Sequence, residues 1–267
     1  GIFKTIHSMS APLTLTNPAK EVDEIIDFIR QTYTTAKKQQ AVIAVSGGID
    51  SALSLTLTVK ALGAEHVFPL FLPYGKQLTH DSEILAAWNE IPTDNCQTIN
   101  IRSMVDEIAK SLAVTDELSL GNIMARVRMI VVYEQARQRG ALVVGTENKS
   151  EKYLGYFTRF GDEASDLEPL QHLYKTQVRL VVQHLGLPKL FLDKAPTAGL
   201  WQGQTDEDEL GFSYEVTDRV LVELIDKKVA AADIRIEGVE STRIRQVIER
   251  VASQRFKLEV PYLVKTR

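Results

Sequence analysis

The hexapeptide Ser46-Gly47-Gly48-Ile49-Asp50-Ser51 carries the clearest chemical signal in this chain. Adjacent glycines let a backbone approach an anion with no Cβ in the way. A helix that starts at the same place aims unpaired N–H groups at one spot. Ser46 and Ser51 add hydroxyl donors, so the turn is a cradle for phosphate oxygens built from neutral groups. No lysine follows the glycines, which separates it from the P-loop of kinases and GTPases, and the spacing is not that of the GxGxxG dinucleotide turn. Asp50 is the oddity, because a carboxylate repels phosphate unless a cation stands between them. Mg²⁺ bridging the two resolves the conflict. The plain alternative is an ordinary strand-to-helix turn in which Asp50 serves the helix N-terminus.

A second polar turn, Thr146-Glu147-Asn148-Lys149-Ser150-Glu151, follows the apolar run Ala141 to Gly145. Glu151 is a candidate second carboxylate for the same Mg²⁺, and Thr146 a candidate hydroxyl toward a nucleotide. Solvated surface charge is the alternative for Lys149 and Glu151. Residues 154–162 then mix aromatics, glycines, Arg159 and Asp162. That mixture suits stacking on a base and contact with a phosphate, and equally suits plain loop packing. Lys175 opens a helix, where a cation opposes the dipole, so it reads as directed at a ligand or else as a surface lysine.

These turns need strands to carry them. Ala41 to Val45 and Ala141 to Gly145 are short apolar runs, the mark of strands buried on both faces. His66 to Leu72 and Gln97 to Ile101 read as further strands. Helical spacing places helices from Pro18 (behind Asn17 as cap) to Thr35, then over Ser51 to Leu62, Asp81 to Trp88, Met104 to Leu112, Ile123 to Arg139 and Leu173 to Leu185. The alternation predicts an α/β fold: a doubly wound, mostly parallel sheet flanked by helices, Rossmann-like. Ligands of such sheets sit beyond the carboxyl ends of the strands, so both polar turns face one crevice. No linker divides the chain, so one domain over 1–267 is expected. Residues 1–16 form an N-terminal segment free to be flexible, and 188–267 a mainly helical C-terminal part. Within that part Gly199 to Gly211 reads as a long polar loop; it and residues 155–168 are long enough to be lids.

With 44% hydrophobic and 25% charged residues the composition excludes disorder and coiled coil. A net charge of -4 supplies no global basic field, so no nucleic-acid partner is expected and anionic ligands need local donors. The longest apolar runs are too short to span a bilayer, so no membrane partner is expected either. Cys96 stands alone, which excludes an internal disulfide and cysteine-built zinc sites. Gly1 to Ser10 shows no basic-then-apolar signal pattern. A reducing, cytoplasmic home is the economical expectation.

Taken together, SGGIDS at 46–51, GNIMARVRM at 121–129, GTENKSEKYLGYFTRFGD at 145–162, DLEPLQHLYKTQV at 166–178 and KAPTAGLWQGQTDEDELGFSYE at 194–215 resemble, in order, the segments of ammonia-dependent NAD synthetases. The first alone marks only the wider ATP-pyrophosphatase group; the later ones are specific, and the match runs from residue 18 nearly to the end. The resemblance implies an adenine nucleotide alpha hydrolase-like fold, a homodimer, and conversion of deamido-NAD, ATP and ammonia into NAD, AMP and pyrophosphate, the final step of NAD biosynthesis. It matches Ser46, Gly47, Gly48, Asp50 and Ser51 to the loop holding the ATP pyrophosphate, and Thr146, Lys175 and Thr197 to other ATP contacts. Asp50 and Glu151 match Mg²⁺ ligands, and Arg126, Asp166 and Lys257 match contacts to deamido-NAD. The chain departs from the family in having Arg159 for a lysine, Glu163-Ala164 where glycines are common, and Phe256 for a histidine. Arg159 and Phe256 remain in the expected substrate-binding set, Phe256 through stacking. Glutamine-dependent members carry an extra amidase domain, for which this chain has no room, so free ammonia is the expected nitrogen source.

The implied chemistry asks for defined roles. A carboxylate is a poor electrophile, and adenylation converts it into a mixed anhydride that ammonia can attack. Lys175 is expected to stabilise the phosphates during adenylation, and Asp162 to take a proton from ammonium. Two alternatives stay open: another ATP-pyrophosphatase enzyme that forms an amide or transfers sulfur to RNA, and a regulatory module that binds ATP without turnover.

Overall fold

The structure, a computed structural model, describes residues 17–194 and 206–264. Asn17 starts helix α1 (Pro18–Ala36) by accepting the Lys20 N–H at 3.1 Å, and Pro18 at the first position gives up an N–H that has no helical partner. Val22, Ile25, Ile29 and Tyr33 recur along one face of α1 and are buried. Strand β1 (Ala41–Ala44) and helix α2 (Ile49–Leu62) follow, then β2 (Val67–Phe71), α3 (His80–Trp88), β3 (Gln97–Thr98), α4 (Arg102–Ser111) and α5 (Glu117–Arg139). The order continues with β4 (Leu142–Val143), α6 (Lys149–Leu154), α7 (Lys175–Leu185), α8 (Leu190–Asp193), α9 (Asp206–Leu210), α10 (Tyr214–Leu221) and α11 (Ser241–Gln254).

The four strands among the described residues are parallel, in the order β3-β2-β1-β4. Asp166 and Leu167 lengthen the β4 edge, with Leu167 bridging Val144 in parallel and Asp166 donating its N–H to the Val143 carbonyl at 2.9 Å. Chain order reverses between β1 and β4, which makes their carboxyl ends the topological switch point of the sheet.

Neighbouring residues of β1 face opposite layers. Ala41, Ile43 and Val45 pack with α1, α2 and α7, while Val42 packs with α4 and α5. Burial on both faces is why this strand is apolar throughout. Helix α2 lies so deep that Leu53, Leu55 and Leu57 have no exposed surface, each worth roughly 1.5–3 kcal/mol in burial. A third apolar cluster joins Leu154 at the end of α6 to Phe212, between α9 and α10, and to Tyr214, Val220, Ile244 and Val247 of α10 and α11.

The expected strands and helices are present, with three differences. Helix α5 begins six residues before Ile123 because Asp116 caps it, accepting the Ser119 N–H at 2.8 Å. The turn after β4 contains α6, closed at its start by a reciprocal pairing of Asn148 and Glu151. The expected loop from Gly199 to Gly211 is corrected where it is described: Asp206–Leu210 is helical. Its polarity misled because Asp206 is buried and accepts the Tyr214 hydroxyl at 3.1 Å. Residues 1–16 and the first part of that loop lie outside the described residues.

Candidate active site

The turn after β1 is held open by its own geometry. Gly47 adopts φ +77°, and a Cβ there would stand 3.0 Å from the Asp81 Cβ. Gly48 caps α2 without a side-chain hydrogen bond to the first turn, so the helix start keeps N–H groups for a ligand. The Ser46 and Ser51 hydroxyls meet at 3.2 Å across the turn. Ser54, one turn further along α2, donates to the Gly145 carbonyl at 2.7 Å and ties this turn to the end of β4.

Beside the turn lies a buried ionic cluster. The Lys175 side chain is only 3% exposed, with Nζ 2.5 Å from Asp50 Oδ2 and 3.1 Å from Glu151 Oε1. The acids are 101 residues apart in the chain (151 − 50) yet share one ammonium. Asn148 donates to the other Asp50 oxygen at 2.9 Å, and the Lys175 ammonium stands 5.3 Å from the Tyr214 ring centre. Burial alone would lower the lysine pKa, but the fields of Asp50, Glu151 and Asp206 outweigh it, so Lys175 is held charged. Burial pushes Glu151 up, as do Asp50 and Asp206, with partial relief from Lys175.

A cation at the start of α7 is locally unfavourable. Asp218 compensates: its carboxylate accepts the Thr176 N–H at 2.9 Å, the Thr176 hydroxyl at 2.7 Å and the Ser150 hydroxyl at 2.5 Å. Ser150 in turn accepts the Lys175 N–H at 2.9 Å. Burial lifts Asp218 to about 6 in spite of these donors.

A cavity next to the cluster is lined by Thr146, Glu151 and Asp162 together with Glu147, Glu163 and two aromatic rings. Asp162 opens onto this crevice and accepts the Thr158 N–H at 2.7 Å; crowding by protein raises its pKa, and that hydrogen bond opposes the rise. Arg126 bonds the Arg159 carbonyl at 3.3 Å, and the Arg159 guanidinium stands 5.6 Å from the Phe256 ring centre. Lys257 donates to the carbonyls of Gly155 at 2.6 Å and Phe157 at 2.8 Å, and burial lowers its pKa. Asp166 directs Oδ2 to the Val143 N–H at 2.7 Å, so its side chain here braces the sheet edge. Thr197 lies outside the described residues.

The structure thus gathers Ser46, Gly47, Gly48, Asp50, Ser51, Glu151 and Lys175 at the switch point, with Thr146 and Asp162 lining the adjoining cavity. Asn148, Asp206 and Asp218 were missed in the sequence. Asn148 had a local signal, its capping-box spacing to Glu151; Asp206 acts on Tyr214 eight positions on and Asp218 on residues 42 and 68 positions back, spacings that carry no signal.

A parallel sheet with a glycine turn at its switch point, a helix start free to bind anions and an ammonium caged by acids defines an α/β protein that handles nucleotide phosphates. The particular family follows from comparison. The family model described as NAD synthase matches residues 21–261, and the chain belongs to that family. It is 43% identical over 236 residues to the NH(3)-dependent NAD(+) synthetase of Pyrococcus furiosus, covering 88% of this chain and 90% of the relative. Among solved structures, the NMN synthetase of Francisella tularensis superposes with a TM-score of 0.78 at 32% identity, covering 94% of this chain and 98% of that one. The NH3-dependent NAD synthetase of Campylobacter jejuni, solved with a nitrate ion, gives 0.77 at 30% identity, covering 93% and 100%.

Proposed function

We propose that this chain is a carbon–nitrogen ligase that amidates deamido-NAD to NAD, using ATP and ammonia and releasing AMP and pyrophosphate. The carrying observation is Lys175 held between Asp50 and Glu151 beside the anion-binding turn. In the first step the substrate carboxylate attacks the α-phosphorus and pyrophosphate departs. The Gly47–Gly48 amides and the α2 start lie where the departing charge collects, and Lys175 is the nearby cation that answers it. In the second step ammonium gives a proton to the Asp162 carboxylate. The ammonia formed attacks the acyl carbon, the bond to the AMP oxygen breaks, and the nitrogen passes its surplus proton to the departing phosphate as AMP leaves. Arg126, Arg159, Asp166, Phe256 and Lys257 are assigned to deamido-NAD, and Thr146 and Thr197 to ATP.

Mg²⁺ is part of the proposal. Asp50 and Glu151 are hard oxygen donors that already hold a positive charge between them, which fits a divalent cation. No group of three potential metal-ligating side chains forms among the described residues, which suits an ion shared with ATP phosphates. When bound, the ion would neutralise phosphate charge. A homodimer is proposed as well, since Met104 and Ile108 on α4 and Leu118 and Ile130 on α5 leave apolar surface exposed that a second copy can cover. No helix among the described residues is long and apolar enough to cross a membrane, and a cytoplasmic location is proposed from the lone thiol Cys96.

The test is to supply ATP, Mg²⁺ and ammonium with either deamido-NAD or nicotinate mononucleotide, and to measure pyrophosphate and amide product. NAD formation with a preference for the dinucleotide is expected. Preference for the mononucleotide would reassign the product to NMN, the compound in the name of the Francisella protein, and ATP binding with no product would overturn the ligase reading.

A further inference from the structure

Glu147 is a buried acid that the ligase steps do not use. It is 7% exposed and lines the cavity that also holds Glu151, Asp162 and Glu163. Its Oε2 accepts the Gln171 amide at 2.5 Å, and Lys152 holds that amide in place by donating to Gln171 Oε1 at 2.6 Å. Its Oε1 is buried and has no hydrogen-bond partner among the described residues. An unsatisfied carboxylate oxygen in the interior is costly unless something fills the place.

The backbone that carries this acid is held in place. Glu168 accepts the Glu147 N–H at 3.0 Å and the Ser165 hydroxyl at 2.7 Å. It fits only because residue 145 has no side chain, since a Cβ there would stand 1.8 Å from Glu168 Oε1. Glu168 therefore fixes the direction in which Glu147 leaves the chain. The cavity, about 40 Å³, exceeds the ~10–15 Å³ that one water requires, and the Tyr156 and Phe157 rings bound it. Acidic walls, one free acceptor and a small volume suit a compact monovalent cation that donates hydrogen bonds.

We infer that Glu147 Oε1 is the acceptor that binds the ammonium substrate in this cavity, next to Asp162. The inference rests on the ligase reading and assigns its nitrogen subsite. Glu147 holds the cation as a carboxylate, giving up to solvent the proton that burial otherwise keeps on it, and Gln171 and Glu168 position Glu147.

The test is Glu147→Gln, near-isosteric and relieved of one charge beside Glu168, compared with the parent protein in three measurements. The KM for ammonium should rise about tenfold or more, as expected for loss of a charge-assisted hydrogen bond. ATP–pyrophosphate exchange with deamido-NAD should stay within about twofold, and so should amide formation from hydroxylamine, which is uncharged at pH 8 and needs no cation site. Ammonium chloride should raise the thermal midpoint of the parent above that in sodium chloride of equal ionic strength, and E147Q should abolish the difference. Glu147→Asp, which keeps the charge but withdraws the oxygen, should show the same ammonium-specific weakening. An unchanged ammonium KM, or an equal loss with hydroxylamine, would overturn the assignment. The thermal comparison needs no turnover: if the parent makes no NAD yet loses its ammonium effect in E147Q, the ligase reading fails and the cation site stands.

Discussion

Replacing Lys175 by methionine tests the ionic cluster most directly. The change keeps most of the side-chain volume and removes only the charge, leaving Asp50 and Glu151 facing one another with Asp206 nearby. Breaking a buried ion pair from one side costs about 3–5 kcal/mol, because the remaining charge keeps its desolvation without its partner. For a chain of this length that corresponds to a fall in Tm of roughly 6–20 °C. Thermal unfolding in chelator at pH 8 measures it. Added Mg²⁺ should recover part of the loss in Lys175→Met and shift the parent less, since the gap between the acids is then open to the ion. A Tm within about 2 °C of the parent would show that the ammonium does not balance buried charge. A loss that Mg²⁺ leaves unchanged would remove Asp50 and Glu151 as a cation site.

Gly47→Ala should raise the KM for ATP more than that for deamido-NAD, since φ +77° and the 3.0 Å approach to Asp81 force the turn to shift; equal KM changes in a steady-state assay would count against the assignment of this turn. Asp218→Ala should lower stability by about 2–4 kcal/mol by denaturant titration, and lower kcat through the displaced start of α7, because the Thr176 and Ser150 donors lose their acceptor; Asp218→Asn should lose less of both. Stability should fall as pH rises from about 4.5 to 8. Burial holds Glu147 near about 8 and Glu168 near about 7, so the folded state keeps protons that the unfolded chain releases, and rising pH favours unfolding. Glu147→Gln should remove roughly 4 kcal/mol of that fall between pH 4.5 and 8, and an unaltered slope in urea titrations across this range would refute the raised pKa.

What the sequence made legible is what is encoded locally. The run Ala41 to Val45 is apolar at every position because both faces of β1 are covered, so the strand and its central place were readable. The glycine turn was readable because only glycine serves where the backbone is left-handed and must approach a ligand. The polar run before Tyr214 was not readable as a helix, because its composition resembles a loop and what draws Asp206 inward is the distant Lys175 together with Tyr214. Asp218 reads as one more acid on an amphipathic helix; its work at the start of α7 appears only once the fold brings 176 and 218 together.

The same distinction explains why an acidic chain can manage an anionic nucleotide. Net charge of -4 says nothing about the switch point, where one buried ammonium is shared between two acids and main-chain amides face the crevice. Bringing phosphates there does not oppose the acids if a cation is interposed, and the acids are what favour the charged form of the lysine in a buried place. Removing them to reduce repulsion would therefore weaken phosphate binding, since an isolated buried lysine sheds its proton rather than remain charged without partners. The carboxylates are the means by which the fold keeps positive charge at the mouth of the anion turn.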